Sequence, residues 1–288
     1  MILDDIVART RLDLVERKAH TPLERLEAAV RDLPPVRSLW EALRRPGQPA
    51  RLTAIAEFKR RSPSAGWIRQ DAAIDAVIPA YVAAGAAGLS VLTDGPFFGG
   101  SLADLTRARA LLGDGSADRA SPPDRRQAAA PGGRPAVLRK DFVVDAYQLA
   151  EARAAGADAV LLIVAALDDR ALRGLFSACA TFGLEALVET HDRQEAARAV
   201  DLGATIVGVN HRDLRTFTMD MDLAVRLRAE IPPGCVMVAE SGIRRPADAR
   251  RMAEAGIDAI LVGESLMRAT DPGAELRALI ERPGGGAV

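Results

Sequence analysis

The residues Ala136-Val137-Leu138-Arg139-Lys140-Asp141-Phe142 put a lysine, an aspartate and an aromatic at the end of a short apolar run that Pro135 bounds upstream. Such a run reads as a buried strand. An ammonium at its end is either salt-bridged scaffolding or a reactive group whose pKa its site has moved. The same ending recurs along the chain. One apolar run closes on Glu57-Phe58-Lys59-Arg60-Arg61-Ser62-Pro63-Ser64, another on Glu189, a third on Asn210-His211-Arg212 and a fourth on Glu240-Ser241-Gly242. Together these are two lysines, several carboxylates, an arginine and an asparagine, which is equipment for acid–base work on an anionic substrate. Lys59 follows Glu57 by two residues and so shares its strand face. Arg60 and Arg61 also fit a solvated charge run. Glu240 reads as a capping or pairing residue, and His211, between Asn210 and Arg212, as an exposed or packed side chain pointing the opposite way.

Two turns suggest what the anion is. Ala239-Glu240-Ser241-Gly242-Ile243 and Val262-Gly263-Glu264-Ser265-Leu266 each put a glycine just past a strand, the second leading into a short helix. Backbone N–H groups exposed at such turns hold phosphate, although either glycine can also serve only to make a tight turn. Phe97-Phe98-Gly99-Gly100-Ser101 opens a helix with aromatics in a turn, suggesting a lid or an aromatic wall.

A regular alternation along the chain must position these residues. From Leu52 onward a short apolar run, a polar or glycine-rich turn and an amphipathic helix repeat. Strands are expected over Leu52 to Phe58, Gly88 to Thr93, Val137 to Lys140, Ala159 to Val164, Ala186 to Glu189, Ile206 to Asn210, Val236 to Glu240 and Ala259 to Val262. Between them lie helices over Ile74 to Ala84, Leu102 to Leu112, Ala146 to Ala155, Arg170 to Phe182, Gln194 to Leu202, Leu223 to Ile231 and Ala247 to Ala255. Gly85, Gly156, Gly183, Gly203 and Gly256 stand where a left-handed C-cap is wanted. About eight such units favour a (β/α)8 TIM barrel over an open sheet, so the strand ends meet at one rim, and the turns after the last two strands are the frequent phosphate site of that fold. Ahead of the barrel, residues 1–48 hold two amphipathic stripes, Leu3, Ile6, Val7 and Leu14, then Leu23, Leu26, Val30 and Leu33, the second stopped by Pro34-Pro35. They form an N-terminal helical extension expected to pack on a catalytic barrel over 49–282. Residues 113–135 carry no large apolar side chain and are expected as a mobile surface insertion, with a loose tail over 283–288.

Composition bounds the rest. A chain of 288 residues, 49% hydrophobic, buries a full core, and a net charge of -1 gives no electrostatic reason to expect nucleic acid or an anionic membrane. No apolar run is long enough for a bilayer, and the acidic Met1-Ile2-Leu3-Asp4-Asp5 start has no apolar signal region. Cys179 and Cys235 lie in apolar segments and read as reduced core residues of a cytoplasmic protein. No metal-ligand spacing is present, and His20, His191 and His211 are scattered.

Taken together, Ile55-Ala56-Glu57-Phe58-Lys59 with Ser62-Pro63-Ser64, Val91-Leu92-Thr93-Asp94 with Phe97-Phe98-Gly99-Gly100-Ser101, Leu138-Arg139-Lys140-Asp141-Phe142, Val188-Glu189, Val209-Asn210-His211-Arg212-Asp213-Leu214, Glu240-Ser241-Gly242-Ile243 and Gly263-Glu264-Ser265-Leu266-Met267 closely resemble the indole-3-glycerol phosphate synthases. The resemblance covers nearly the whole chain, including the helical extension. It implies ring closure, decarboxylation and dehydration of 1-(2-carboxyphenylamino)-1-deoxyribulose 5-phosphate in tryptophan biosynthesis. Lys140 matches the general acid on the ribulose carbonyl, and Lys59 and Glu189 the residues of the dehydration. A general acid at neutral pH wants a lysine of lowered pKa, and a neighbouring cation such as Lys59 is expected to supply it. Glu57 and Asn210 match groups that position these and the substrate hydroxyls, with Arg212 beside them. Ser241, Gly242, Gly263 and Glu264 match the phosphate cradle, and Ser62, Phe98, Phe142 and Leu161 the pocket around the anthranilate ring. Neither cofactor nor metal is implied, because ring closure creates a cationic imine that accepts the electrons of decarboxylation. The expected form is a monomer or weak homodimer acting on a phosphorylated small molecule.

Departures from the family pattern are His211 in place of asparagine or serine, Ala146 in place of a common proline, and the length of the 113–135 stretch. None removes a matched catalytic residue. Phosphoribosylanthranilate isomerase, a second phosphate-binding barrel, would put a cysteine and an aspartate where Glu57-Phe58-Lys59 and Glu189 stand. A barrel that only binds a phosphate ligand as a regulator has no use for Lys140, Lys59 and Glu189 together.

Overall fold

The computed structural model describes residues 2–44, 52–113 and 134–281. The expected insertion, apart from Gly113, Arg134 and Pro135, the 283–288 tail and the 48/49 boundary lie outside the described residues.

Eight parallel strands close into a barrel. They are β1 (Thr53–Phe58), β4 (Gly88–Leu92), β5 (Ala136–Lys140), β6 (Ala159–Ile163), β7 (Glu185–Thr190), β8 (Ile206–Asn210), β9 (Val236–Glu240) and β10 (Ala259–Val262), with β10 pairing back onto β1. β2 (Arg61–Ser62) and β3 (Gly66–Trp67) form a small antiparallel hairpin just past β1 that the sequence reading does not contain. Strands of this kind are buried on both faces, which is why they read as unbroken apolar runs. One side-chain parity fills the barrel with Ile55, Leu138, Leu161, Leu187, Ile206, Val236, Val238 and Leu261. The other packs outward with Ala54, Leu89, Val137, Val160, Val188, Val207, Met237 and Ile260 against the helices.

Around the barrel run α4 (Ile74–Ala83), α5 (Leu102–Leu112), α6 (Tyr147–Ala154), α7 (Asp169–Thr181), α8 (Arg193–Leu202), α9 (Leu223–Leu227), α10 (Pro246–Glu254), α11 (Glu264–Arg268) and α12 (Pro272–Ile280). Short polar side chains start several of them. Ser101, Asp168, Asp192 and Asp271 each accept the N–H three residues on. The five expected C-cap glycines all lie at positive φ. The helix expected through Ile231 ends at Leu227 and continues only as a 3-10 turn over 228–230, and α12 was not foreseen.

The N-terminal segment closes both ends of this barrel. α1 (Ile2–His20) buries Leu3, Ile6, Thr10 and Leu14. α2 (Leu23–Val30) lies against α6 and buries no residue fully, and it stops at Val30, leaving Leu33 39% exposed rather than on the expected stripe. α3 (Leu39–Leu43), also unforeseen, inserts Leu39 and Leu43 into the barrel's inner core at its lower end. Ser38 Oγ and the Trp40 N–H both bond the Glu185 carboxylate, at 2.6 and 2.9 Å. Among the described residues no helix is long and apolar enough to cross a membrane.

Candidate active site

The inward parity of the strands changes character toward their C-terminal ends. Two residues beyond Ile55, Leu138, Leu187, Ile206, Val238 and Leu261 come Glu57, Lys140, Glu189, Gly208, Glu240 and Gly263, and all of these but Gly208 line one pocket. The register pairs Glu189 with Gly208 and Asn210 with Glu240. All fourteen site residues singled out in the sequence, from Glu57 to Glu264, line this pocket. None is left outside it.

On one side Lys59 Nζ reaches Glu57 Oε1 at 2.7 Å, the shared face that their spacing of two requires. Glu57 Oε2 accepts from Ser90 Oγ at 3.2 Å. A Cβ on Gly263 would stand 2.6 Å from Glu57 Oε1, so this glycine keeps open the space into which Glu57 folds. Across the floor, Lys140 Nζ lies 2.5 Å from Glu189 Oε2 and 3.0 Å from Glu240 Oε2. Asn210 Nδ2 donates to Glu189 Oε1 at 3.2 Å, and Asn210 Oδ1 accepts the Arg212 N–H at 3.1 Å. Arg212 then crosses the mouth to Ser64 Oγ at 3.1 Å, tying the loop after β8 to the one after β1.

The opposite wall is apolar. Phe98 and Phe142 stand 6.0 Å apart at 37°, and with Leu161 they join Leu3 and Ile6 of α1 in one cluster. The hairpin that carries Ser62 is held by Arg60, whose guanidinium grips Asp104 through two bonds of 2.7 and 2.9 Å and stacks over Phe58 at 4.7 Å. Arg60 is therefore half-buried scaffolding and not part of a solvated charge run.

At the far end, Ser241 (φ 67°) and Gly242 (φ 77°) make consecutive left-handed residues after β9. For serine this conformation costs roughly 1–3 kcal/mol, a strain that clusters at active sites and ligand clamps. The turn is braced by His211, fully packed as one of its two expected states, whose Nδ1 lies 3.0 Å from the Ser241 carbonyl. Gly263 and Glu264 begin α11 beside it. Met219 and Met221 close over Gly242, so a side chain there would collide with their sulfur ends as well as take on a strained φ.

The electrostatics overturn one expectation. Burial alone would lower the Lys140 pKa, but the Glu189, Glu240 and Glu57 carboxylates outweigh it and raise it above the ordinary lysine value. Lys59 is engaged by Glu57, so the cation expected to depress Lys140 is already neutralised by a neighbour. Glu189, although buried, is held well below the usual carboxylate range, chiefly by Lys140. Glu240 goes the other way. Burial, with Glu189 beside it, outweighs Lys140 and pushes its carboxyl up to about 8.

Glu240 is the functional candidate that sequence reasoning undervalued. It does pair, as expected, but with Lys140 and on the pocket wall. The signal was its parity: it follows Val238 as Glu189 follows Leu187. Leu3, Ile6 and Phe217 also line the pocket and were not foreseen. Among the described residues no group of histidine, cysteine, aspartate and glutamate is arranged to hold a metal ion.

Comparison with known proteins is consistent with this geometry. Solved structures similar in fold include a thiamine phosphate pyrophosphorylase from Pyrococcus furiosus, with a TM-score of 0.54 at 16% identity over 84% of this chain and 96% of that one. A 3-hexulose-6-phosphate synthase from Salmonella typhimurium gives 0.58 at 13% identity over 79% of this chain and 96% of that one. At such identities only the barrel is shared. In sequence the likeness is far stronger. An indole-3-glycerol phosphate synthase of Nocardioides sp. is 45% identical over 96% of this chain and 97% of its own length. Indole-3-glycerol phosphate synthase 2 of Streptomyces coelicolor is 44% identical over 97% and 98%, and the Bacteroides thetaiotaomicron enzyme 37% identical over 97% and 98%. The family model for indole-3-glycerol phosphate synthase matches residues 3–279, from the first turn of α1 to the last of α12. The chain therefore belongs to the indole-3-glycerol phosphate synthase family.

Proposed function

We propose that this protein closes the indole ring of indole-3-glycerol phosphate from 1-(2-carboxyphenylamino)-1-deoxyribulose 5-phosphate, with loss of carbon dioxide and water. The observation that carries the reading is a single mouth holding two ammonium groups, three carboxylates, an aromatic wall and a strained amide-presenting turn. Lys140 serves as general acid to the ribulose ketone while the ring carbon attacks it. Its partners, the Glu189 carboxylate and the Glu240 carboxyl, fix the ammonium in place, and a lysine has a third N–H to offer. Bond formation leaves a cationic imine in the substrate, which takes up the electrons of the breaking carboxyl bond. Lys59 and Glu189 then serve as acid and base for loss of the hydroxyl as water. Over one turnover the substrate carboxylate leaves as neutral carbon dioxide, so one proton is taken up from solvent.

Glu57, Asn210 and Arg212 position these groups and the substrate hydroxyls. Ser241, Gly242, Gly263 and Glu264 receive the phosphate, the last through its backbone, while Ser62, Phe98, Phe142 and Leu161 enclose the anthranilate ring. In this reading residues 1–48 are an extension roofing and flooring one catalytic barrel over 49–282, and the protein works in the cytoplasm as a monomer or weak homodimer.

Mixing the protein with the substrate should produce indole fluorescence, and a chain that leaves the substrate unchanged does not have this function. Lys140→Ala should lower kcat by about 10³-fold or more while product binding, read by calorimetry, stays within a few-fold. Full activity in that variant would refute the role given to Lys140.

A further inference from the structure

One buried titratable side chain touches the site without a part in the chemistry above. His191 lies just past the end of β7, two residues after Glu189 and therefore on the same face, with its side chain 8% exposed. Its Nε2 stands 3.2 Å from Glu189 Oε1, on the carboxylate oxygen that Lys140 does not take, and off the line its N–H would need for a hydrogen bond. The contact is an ion pair when the imidazole is protonated. Its Nδ1 stands 3.0 Å from Glu195 Oε2 in the first turn of α8. That same oxygen accepts the His191 backbone N–H at 2.8 Å, and the Glu195 N–H is in turn bonded to Asp192 Oδ1 at 2.8 Å. Glu195 is thus fixed by the helix start, and the imidazole is fixed by Glu195. A neutral imidazole has one donor and one acceptor nitrogen, and between two carboxylates both nitrogens are called on to carry protons.

We propose that His191 is a positioning residue of the active site: an imidazolium clamped by Glu195 that keeps Glu189 ionised and aimed at the reacting groups while Lys140 gives up its proton. The inference rests on the acid–base roles proposed above. When Lys140 protonates the ketone it becomes neutral, and Glu189 loses its nearest cation in a site with little water to replace it. A carboxylate so stranded takes up a proton. The charge 3.2 Å away on His191 prevents that. The groups facing His191 are Glu189 on its own strand and Glu195 on α8, with Lys140 beyond Glu189. Although burial opposes its charge, these two carboxylates hold its pKa up to about 10.

The chain has three histidines, so selective ¹⁵N-histidine labelling gives a readable spectrum. In the wild-type protein, one ring should keep both protons until the pH approaches about 10. That signal should vanish in His191→Leu, and in Glu195→Gln it should titrate at lower pH. In both variants kcat should fall by about tenfold or more with KM within about twofold. Because His191 helps depress Glu189, its removal raises the Glu189 pKa, so the acid limb of the kcat profile should move to higher pH, further in His191→Leu than in Glu195→Gln. Glu195→Gln, checked by its Tm, carries the test if His191→Leu does not fold. A His191 ring that titrates near 6.5 in the wild type, or an acid limb unmoved in a folded variant, overturns the proposal. A wild-type protein that makes no indole instead overturns the function, and the ring signal still reports the charge.

Discussion

Arg139 and Lys140 are neighbours on β5, point to opposite faces and sit at the centre of two buried charge clusters that could hardly be built more differently. Arg139, 1% exposed, bonds Thr93 Oγ1 at 3.0 Å, the Gln148 carbonyl at 2.7 Å and Asp141 Oδ2 at 2.8 Å, with Glu151 Oε2 at 3.4 Å. Asp141 is further bound by the Thr93 hydroxyl and the Phe142 N–H, and Glu151 by Arg17 of α1. Around Lys140, by contrast, Glu240 Oε1 and His191 Nε2 are buried without a hydrogen bond. No buried side-chain atom of the Arg139 cluster is so left among the described residues. A charge cluster that only holds elements together closes on itself, whereas one that handles protons keeps unused hydrogen-bonding capacity among its members.

The sharpest way to break this comparison is Arg139→Met. It leaves Asp141 buried without its cation, while Glu151 keeps Arg17, and should cost about 3–5 kcal/mol in denaturant unfolding. Activity per folded molecule should stay within a few-fold, and a variant of normal stability but lost activity would erase the distinction. A smaller effect separates the protonation states. Folded protein keeps the Glu240 proton up to about 8, whereas the unfolded chain releases it near 4.5. Between those values the folded state holds more protons, so the stability of wild type relative to Glu240→Gln should decline as pH rises through that window. A difference that grows with pH contradicts the raised Glu240 value. Least affected should be Lys18→Ala, which removes a 2.7 Å pair to Asp145 whose side chains are 46% and 37% exposed. The unfolding free energy should change by no more than about 0.5 kcal/mol.

The barrel was legible because its signals are local. Apolar runs, C-cap glycines such as Gly156 and Gly203, and polar groups at strand ends lie within a few residues of what they determine. Lys59 beside Glu57 needed only the alternation of a strand. The direction of the Lys140 shift needed more, since Glu189 and Glu240 are 49 and 100 residues away and reach it only through strand order and register. His191 was passed over for the same reason: its inward face depends on β7 continuing its parity past Thr190. α3 and the β2–β3 hairpin are too short to show a period and are formed by what they pack against. The length of the second helix failed differently. Leu33 continued an apolar spacing that nothing in the fold buries.

Residues 2–43 supply both a roof and a floor to the barrel, and their partners come late. Arg17 meets Glu151 134 positions downstream, and Ser38 meets Glu185 147 positions downstream. This segment leaves the ribosome ahead of them, and it has only part of its seat when β4, β5 and α6 have followed, the Glu185 contact waiting for β7. Birth order and assembly order therefore run in opposite directions in this polypeptide, and its earliest helices must wait for a seat.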